Sequence, residues 1–237
     1  MPPPPSDFVA DNAATLRLGS AEFAGLCFEK DRRSLGYRFA KRLFDIVFSG
    51  AVCLVGFVPC VLLAIAIAVD TKGSPIYSQE RVGRGGKAFS IYKFRSMVAD
   101  ADNVEKYLNA DQLRQWDAER KVNDDPRITP LGRFIRKTSI DEIPQFINVL
   151  LGDISVLGPR PITYRELEWF GPDAAELLSV PAGITGLWQA SERNGATFET
   201  GRRQAIELEY VRNAGIRMDA KCFLGTFGAM FGRRTGR

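Results

Sequence analysis

A chain of 237 residues that is 45% hydrophobic can build one substantial domain with appendages. Its net charge of +4, from 32 basic and 28 acidic side chains, suits anionic lipid or phosphate-bearing ligands and is too small to argue for nucleic acid. There is no histidine, which excludes histidine-based triads, histidine–zinc sites and a histidine general base; chemistry must rest on carboxylates, Lys, Arg, Tyr, Ser, Thr or Cys.

Residues 1–36 are Pro-rich and polar at the start, without a secretory signal or sustained periodicity. They read as a disordered or weakly ordered tail, with at most a short helix near Ala21–Phe28. From Ile46 to Val69 there are 24 residues without a charge, and a bilayer crossing needs roughly 20. A single transmembrane helix is the default reading. Pro59 lies near the middle, and proline removes a backbone donor and favours a kink. Basic residues, which mark the cytoplasmic side, stand on both flanks: Arg38, Lys41 and Arg42 before the run, Lys72, Arg81 and Arg84 after it. A helix over 37–72 that bends at Pro59 and returns would keep both flanks on one side, so spanning and re-entrant readings both stand on physics alone. Of the four cysteines, Cys27, Cys53, Cys60 and Cys222, none forms a CxxC pair and two lie inside the apolar run. That argues against a disulfide framework or a cysteine–zinc site and fits a reducing cytosolic face.

Beyond Asp70 the pattern is that of a soluble α/β segment with more helix than strand. Pro75–Gln79 and Phe89–Phe94 read as short strands around the turn-forming GRGG at 83–86. Val98–Lys121 is helical in composition, and Asp124-Asp125-Pro126 is a break. Thr138–Leu151 reads as one helix capped by Thr138 or Ser139, with Asp141 and Glu142 in its first turn. There the helix dipole is expected to lower a carboxylate pKa. Ile154–Leu157 is a short strand, Gly158-Pro159-Arg160-Pro161 a rigid loop, and Arg165–Phe170 and Ala174–Val180 short helices. Pro181–Asn194 reads as loop and Gly201–Asn213 as a charged helix. Phe223, Leu224, Phe227, Met230 and Phe231 share one helical face with basic flanks. Residues 216–237 therefore read as an amphipathic helix, lying on an anionic membrane surface or packed on the core.

The stretch from Arg133 to Pro161 concentrates the unusual features. Asp141 and Glu142 follow Arg133, Arg136 and Lys137. Adjacent helical residues point apart, so one carboxylate can face a ligand while the other supports it. Acidic residues in a first helical turn are common in themselves. Arg160, held between two prolines, is a fork-shaped cation on a preset backbone, which suits a phosphate. Phosphoryl transfer needs cations and a placed nucleophile, often with magnesium.

Four blocks carry a resemblance: KRLFDIVFSG at 41–50, GSPIYSQERVGRGGKAFSIYKFRSM at 73–97, DDPRITPLGRFIRKTSIDEIPQFINVLLGDISVLGPRP at 124–161 and PAGITGLWQASERNG at 181–195. In these the chain resembles the bacterial sugar transferases, the monotopic phosphoglycosyl transferases, over roughly residues 37–230. The resemblance implies an α/β, helix-rich fold with a catalytic domain over 73–215, a Pro-broken re-entrant membrane helix and amphipathic interfacial helices. It implies transfer of a sugar 1-phosphate from a UDP-sugar to undecaprenyl phosphate, on the cytoplasmic face of the bacterial membrane and in contact with its lipids. Asp141 would be the nucleophile and would touch Mg2+, and Glu142 would orient it or handle a proton. Arg136 and Arg160 fit as phosphate clamps, Lys93 and Arg95 as site cations, and Gln189 and Arg193 as contacts to the nucleotide sugar.

Two departures from the family pattern stand out. The membrane break is Val58-Pro59 where a Ser-Pro pair is usual, and Glu192 stands where many relatives carry glycine before the arginine. The sugar and the pathway are not named by the motifs, and a homo-oligomer is compatible with them. The rival readings are a membrane-bound nucleotide-sugar hydrolase and a non-enzymatic membrane-anchored adaptor.

Overall fold

Leu35–Thr71 forms one α-helix, α1, of 37 residues, in a computed structural model that describes residues 31–119, 122–191, 196, 198 and 200–231. At about 1.5 Å per residue it is about 55 Å long, well beyond a hydrocarbon core of about 30 Å. Its most apolar 18-residue window is only 6% buried, whereas the core helix of a soluble protein would be mostly covered. Leu54 and Val55 are each 80% exposed. An apolar surface of this extent is the mark of a membrane or a protein interface. Pro59, where a break was expected, sits inside the helix, and the helix continues through it. One missing donor in so long a ladder does not end it, and membrane helices tolerate the loss. One long apolar N-terminal helix on a helix-rich fold accords with a re-entrant or interfacial arrangement. The segment expected near Ala21–Phe28 lies outside the described residues.

The other elements follow in order: β1 (Ile76–Val82), β2 (Ala88–Phe94), α2 (Val104–Tyr107), α3 (Ala110–Glu119), α4 (Pro130–Thr138), α5 (Gln145–Leu151), β3 (Ser155–Leu157), α6 (Tyr164–Glu168), α7 (Ala174–Leu177), β4 (Gly183–Thr185), α8 (Leu187–Ser191), α9 (Arg202–Arg212) and α10 (Ile216–Phe231). The β1–β2 pair and the parallel β3–β4 pair form separate two-stranded sheets. The expected helix over Val98–Lys121 starts later and is two shorter helices. Turns closed by Ala101 N–H to Val98 O and Asn103 N–H to Asp100 O take up Val98 to Asn103. The chain then breaks at Leu108, which is extended at ψ 136°, with Asn109 Oδ1 accepting the Gln112 N–H at the start of α3. The expected loop over Pro181–Asn194 contains β4 and α8. Its strand is short and exists through parallel pairing with β3, in register Ser155 to Gly183 and Leu157 to Thr185.

The chain divides into two units. The first takes residues up to Gly50, Glu80–Ile91 and those from Asn148 on; the second takes Ala51–Gln79 and Tyr92–Ile147. In the first unit Val82, Ile162, Leu167, Phe170, Leu177, Leu178 and Leu208 form the core. The start of α1 is tied into this unit by polar bonds. Asp45 Oδ1 accepts from Ser155 Oγ and from Val156 N–H, each at 3.0 Å. Lys41 Nζ pairs with Asp219 of α10 at 2.7 Å. Arg42 donates to the carbonyls of Val149 and Leu150 at 2.6 and 2.9 Å, satisfying open acceptors at the end of α5. On α10, Cys222 is fully buried, Phe223 meets the rings of Phe44 and Phe48 edge-on, and Leu224 is 70% exposed. This helix therefore packs on the core through one side. The side chains of Phe227, Met230 and Phe231 lie outside the described residues.

In the second unit Ile67, Phe94 and Ile135 are the core, with Leu63, Ala64, Leu131, Ile140 and Ile143 packed around them. Burying an isoleucine side chain fully contributes about 1.5–3 kcal/mol, so Ile135 anchors α4 firmly to the end of α1. This core lies directly beneath the residues with chemical potential.

Candidate active site

Thr129 caps α4, its Oγ1 accepting the Gly132 N–H at 2.9 Å, with Pro130 at the first helical position. The helix stops at Thr138. Ser139 adopts the left-handed conformation at φ 58° and its N–H bonds the carbonyls of Ile135 and Arg136. A 3-10 turn, Ile140–Glu142, then leads to α5. The single helix expected over Thr138–Leu151 is thus two helices joined by a tight turn, and Asp141 and Glu142 are on the turn. The apolar neighbours Ile140 and Ile143 pack on Ile135 and its cluster, and the two carboxylates between them are half-buried.

Asp141 is coupled to three charged groups. Burial pushes its carboxyl above the usual range, and the Glu142 charge adds to that; Lys93 and Arg136 pull the other way. The lowering expected from a helix N-terminus is overturned, because a short turn offers little dipole and burial beside a like charge dominates. Lys93 Nζ pairs with Glu142 Oε1 at 3.3 Å. Alternation along β2 explains its placing: Phe94 is buried at 5% exposure, so Lys93 emerges on the opposite face. Arg136, in the last turn of α4, donates from Nε to Ser96 Oγ at 2.6 Å. Burial disfavours its charge and holds its pKa below the usual value, while Asp141 and Asp125 act in the opposite direction.

Lys93, Arg136, Asp141 and Glu142 are therefore brought together. Arg95 is engaged elsewhere: its Nε donates to Ser74 O at 2.7 Å and its Nη1 reaches Ala99 O at 3.4 Å. These bonds pin the loop after α1. Arg160 and Gln189 belong to the first unit, and Arg193 lies outside the described residues. Among the described residues no three carboxylate or thiol side chains form a metal cage. The raised Asp141 carboxyl beside Glu142 is nevertheless a pair that a cation would relieve. Magnesium commonly takes one or two carboxylates and completes its shell with water and substrate phosphates. Asp141 and Glu142 are the residues that fit such an ion.

In the first unit, Arg160 follows β3 on the Pro-Arg-Pro loop. Its guanidinium lies 5.8 Å from the Trp188 ring centroid, and that of Arg203 lies 4.3 Å from the same ring. Gln189 is buried, with Nε2 reaching Ile184 O at 3.4 Å. Glu207 of α9, 1% exposed, was hidden in the sequence inside an ordinary charged helix. Its signal is there in retrospect: Arg203, Glu207 and Tyr210 recur at helical spacing on one face.

Burial pushes the Glu207 carboxyl up to about 7, although Arg203, the Arg160 N–H and the Arg160 charge oppose this. The folded-state value exceeds the ordinary 4.5, so the native protein retains a proton that the unfolded chain releases. Stability from this group is complete below pH 4.5 and is lost as pH rises to about 7, by about 3 kcal/mol. Glu207→Gln is accordingly expected to melt several degrees above wild type at pH 8, at about 2–4 °C per kcal/mol, and to converge with it near pH 5. A melting difference that does not change with pH contradicts this assignment.

The bacterial sugar transferase family matches residues 36–233. The UDP-galactose-lipid carrier transferase of Erwinia amylovora is 41% identical over 200 residues, covering 83% of this chain and 41% of that protein. The undecaprenyl-phosphate galactose phosphotransferase of Salmonella typhimurium is 45% identical over 179 residues, covering 74% of this chain and 37% of the relative. The exopolysaccharide production protein ExoY of Rhizobium meliloti is 38% identical over 195 residues, covering 81% of this chain and 85% of the relative. The chain thus spans less than half the length of the first two relatives and most of the third. The matched segment contains the whole carboxylate turn, its cations and the Pro-Arg-Pro loop, and the chain belongs to the bacterial sugar transferase family.

Proposed function

We propose that this protein transfers a sugar 1-phosphate from a UDP-sugar to undecaprenyl phosphate at the cytoplasmic face of the membrane, with Asp141 as nucleophile. The observation that carries this reading is the Asp141 carboxyl, shifted upward by burial and by Glu142 while Lys93 and Arg136 stand by to favour its charge. An upward shift makes the ionised oxygen more basic and hence a stronger nucleophile. An Asp141 oxygen forms a bond to the sugar-bearing phosphorus, and the bond from that phosphorus to UMP breaks. A phosphate oxygen of the lipid then attacks the same phosphorus and frees Asp141, giving the undecaprenyl-diphospho-sugar. Lys93 holds Glu142, and Arg136 offers positive charge to the transferred phosphoryl group. Asp141 and Glu142 would hold magnesium, which when bound neutralises diphosphate charge. Two of the relatives carry galactose in their names, which makes UDP-galactose the first donor to assay.

Labelled sugar phosphate is expected to stay on the protein when UDP-sugar is supplied without lipid, and to leave when undecaprenyl phosphate is added. Parallel initial-velocity lines should accompany it. Intersecting lines with an unlabelled chain would favour direct transfer instead. UMP release that ignores the lipid would mark a hydrolase, and none from any UDP-sugar an adaptor.

The membrane segment is proposed to enter and return on one side. The helix runs unbroken through Pro59 in the structure, so this topology requires a bend at that residue in lipid. The uncharged pieces on either side are 13 and 10 residues, about 15–20 Å each, and neither alone spans about 30 Å. Basic residues on both flanks resist translocation. Single cysteines at Ser34 and Ser74, in a background without native cysteines, should both be shielded from an impermeant thiol reagent in intact cells. Labelling of Ser34→Cys alone would establish a spanning helix.

A further inference from the structure

We infer that Glu207 is a positioning residue that sets Arg160 for the anionic substrate, a role that rests on the reading of Arg160 as a phosphate clamp. Pro159 and Pro161 have no N–H, so the Arg160 amide is the one backbone donor of the Pro-Arg-Pro stretch. It donates to Glu207 Oε2 at 3.2 Å, from a helix 47 residues away. The rest of the loop is held as closely. Gly158 N–H donates to Thr185 O at 2.9 Å, and Pro159 O accepts from Gly183 N–H at 2.8 Å. One turn along the same face of α9, the Tyr210 hydroxyl lies 3.2 Å from Leu157 O. That hydroxyl donates its one hydrogen to Asp219 Oδ1 at 2.6 Å, so Tyr210 packs beside the loop and Glu207 is the side chain of α9 that holds its backbone.

The opposite end of that face carries Arg203, stacked on Trp188, whose ring Arg160 also approaches. The guanidinium of Arg160 is thus bounded by an aromatic plane and a second cation, while its backbone is bounded by Glu207. A purely structural role fits this carboxylate poorly. Glu207 Oε1 is buried with no hydrogen-bond partner among the described residues. Arg203, Arg160 and Glu166 are the charged groups that face it. A buried carboxylate half satisfied in this way costs stability, so core packing alone would favour an apolar residue of similar volume. What it supplies, and an apolar residue cannot, is the acceptor for the Arg160 amide.

The test uses the full-length protein in lipid nanodiscs. Glu207→Leu removes the acceptor, and Glu207→Gln keeps one. Hydrogen exchange of the Arg160 amide and the KM for UDP-sugar are read for each. Glu207→Leu is expected to speed exchange at Arg160 and to raise KM by about tenfold, with kcat within about threefold of wild type. Glu207→Gln should restore both to within about threefold. In an Arg160→Ala background, Glu207→Leu should change KM by less than about twofold, because the group it positions is gone. Unchanged exchange at Arg160 in Glu207→Leu overturns the inference, as does a KM increase of equal size with and without Arg160. Should Glu207→Leu fail to fold, Glu207→Asp replaces it. That variant keeps the charge but withdraws the carboxyl by one methylene, so it should raise KM where Glu207→Gln does not, and the reverse order overturns the inference. A wild-type protein that releases no UMP from any UDP-sugar would sink the proposed function, while exchange at the Arg160 amide would still decide the positioning.

Discussion

Asp141→Asn is expected to abolish turnover, lowering kcat by about a thousandfold or more, while leaving the fold intact. An amide cannot attack phosphorus as a carboxylate does. The substitution should not cost stability, because the charge it removes is one the fold disfavours: burial and Glu142 both push the Asp141 carboxyl upward. Wild-type melting with no sugar phosphate on the chain is the expected pair of results. Glu142→Gln should lose less, since the Glu142 carboxylate is paired with Lys93 and supports its neighbour rather than attacking. Well-folded Asp141→Asn protein that still turns over would remove Asp141 as nucleophile, and with it the two-step reaction.

The second large effect is expected far from the carboxylates in sequence. Gly183→Ala should cost about 3 kcal/mol or more and remove most activity with the loss of structure. A Cβ at Gly183 would meet the backbone of Gly158, with the Gly158 Cα at 2.6 Å and its nitrogen nearer still. Backbone held in a hydrogen-bonded loop cannot swing aside as the tip of a long side chain can. The Gly183 N–H bonds Pro159 O, and Gly183 faces Ser155 in the parallel β3–β4 register. Pushing the two strands apart would displace the Pro-Arg-Pro loop along with Arg160. Total stabilities are commonly about 5–15 kcal/mol, so a loss of this size should appear as reduced yield and early melting. Gly183→Ala protein with wild-type melting and KM would show that the approach of the two strands is not required.

Several features were legible before any coordinates. The uncharged run declared a membrane segment, because 24 residues without a charge have few other uses. The GRGG turn and its flanking apolar residues announced the β1–β2 hairpin, and the carboxylate pair and the Pro-Arg-Pro loop stood out by composition. These are local signals, carried by residue type and short spacing. The tertiary structure decided what local signals cannot. The run Thr138–Leu151 does carry a local breaker, Pro144, which has no N–H to continue a helix and stands immediately before α5. The division at Ser139 is what the local signals do not show, because packing of Ile140 and Ile143 on Ile135 turns the chain there through a left-handed residue. β4 is three residues long and exists through its pairing with β3, so no propensity could announce it. The upward shift at Asp141 arises from burial and a neighbour's charge, both set by where the turn lands. Arg95 matched its motif, and only the structure shows its Nε and Nη1 donating to carbonyls of Ser74 and Ala99. Glu207 reads in sequence as one more charge on a polar helix, and only the loop it grips shows that this face points inward. A helix reveals its buried side by apolar periodicity, so a buried side made of Arg203, Glu207 and Tyr210 is invisible until the loop it packs against, with the Arg160 amide on Glu207, is in place.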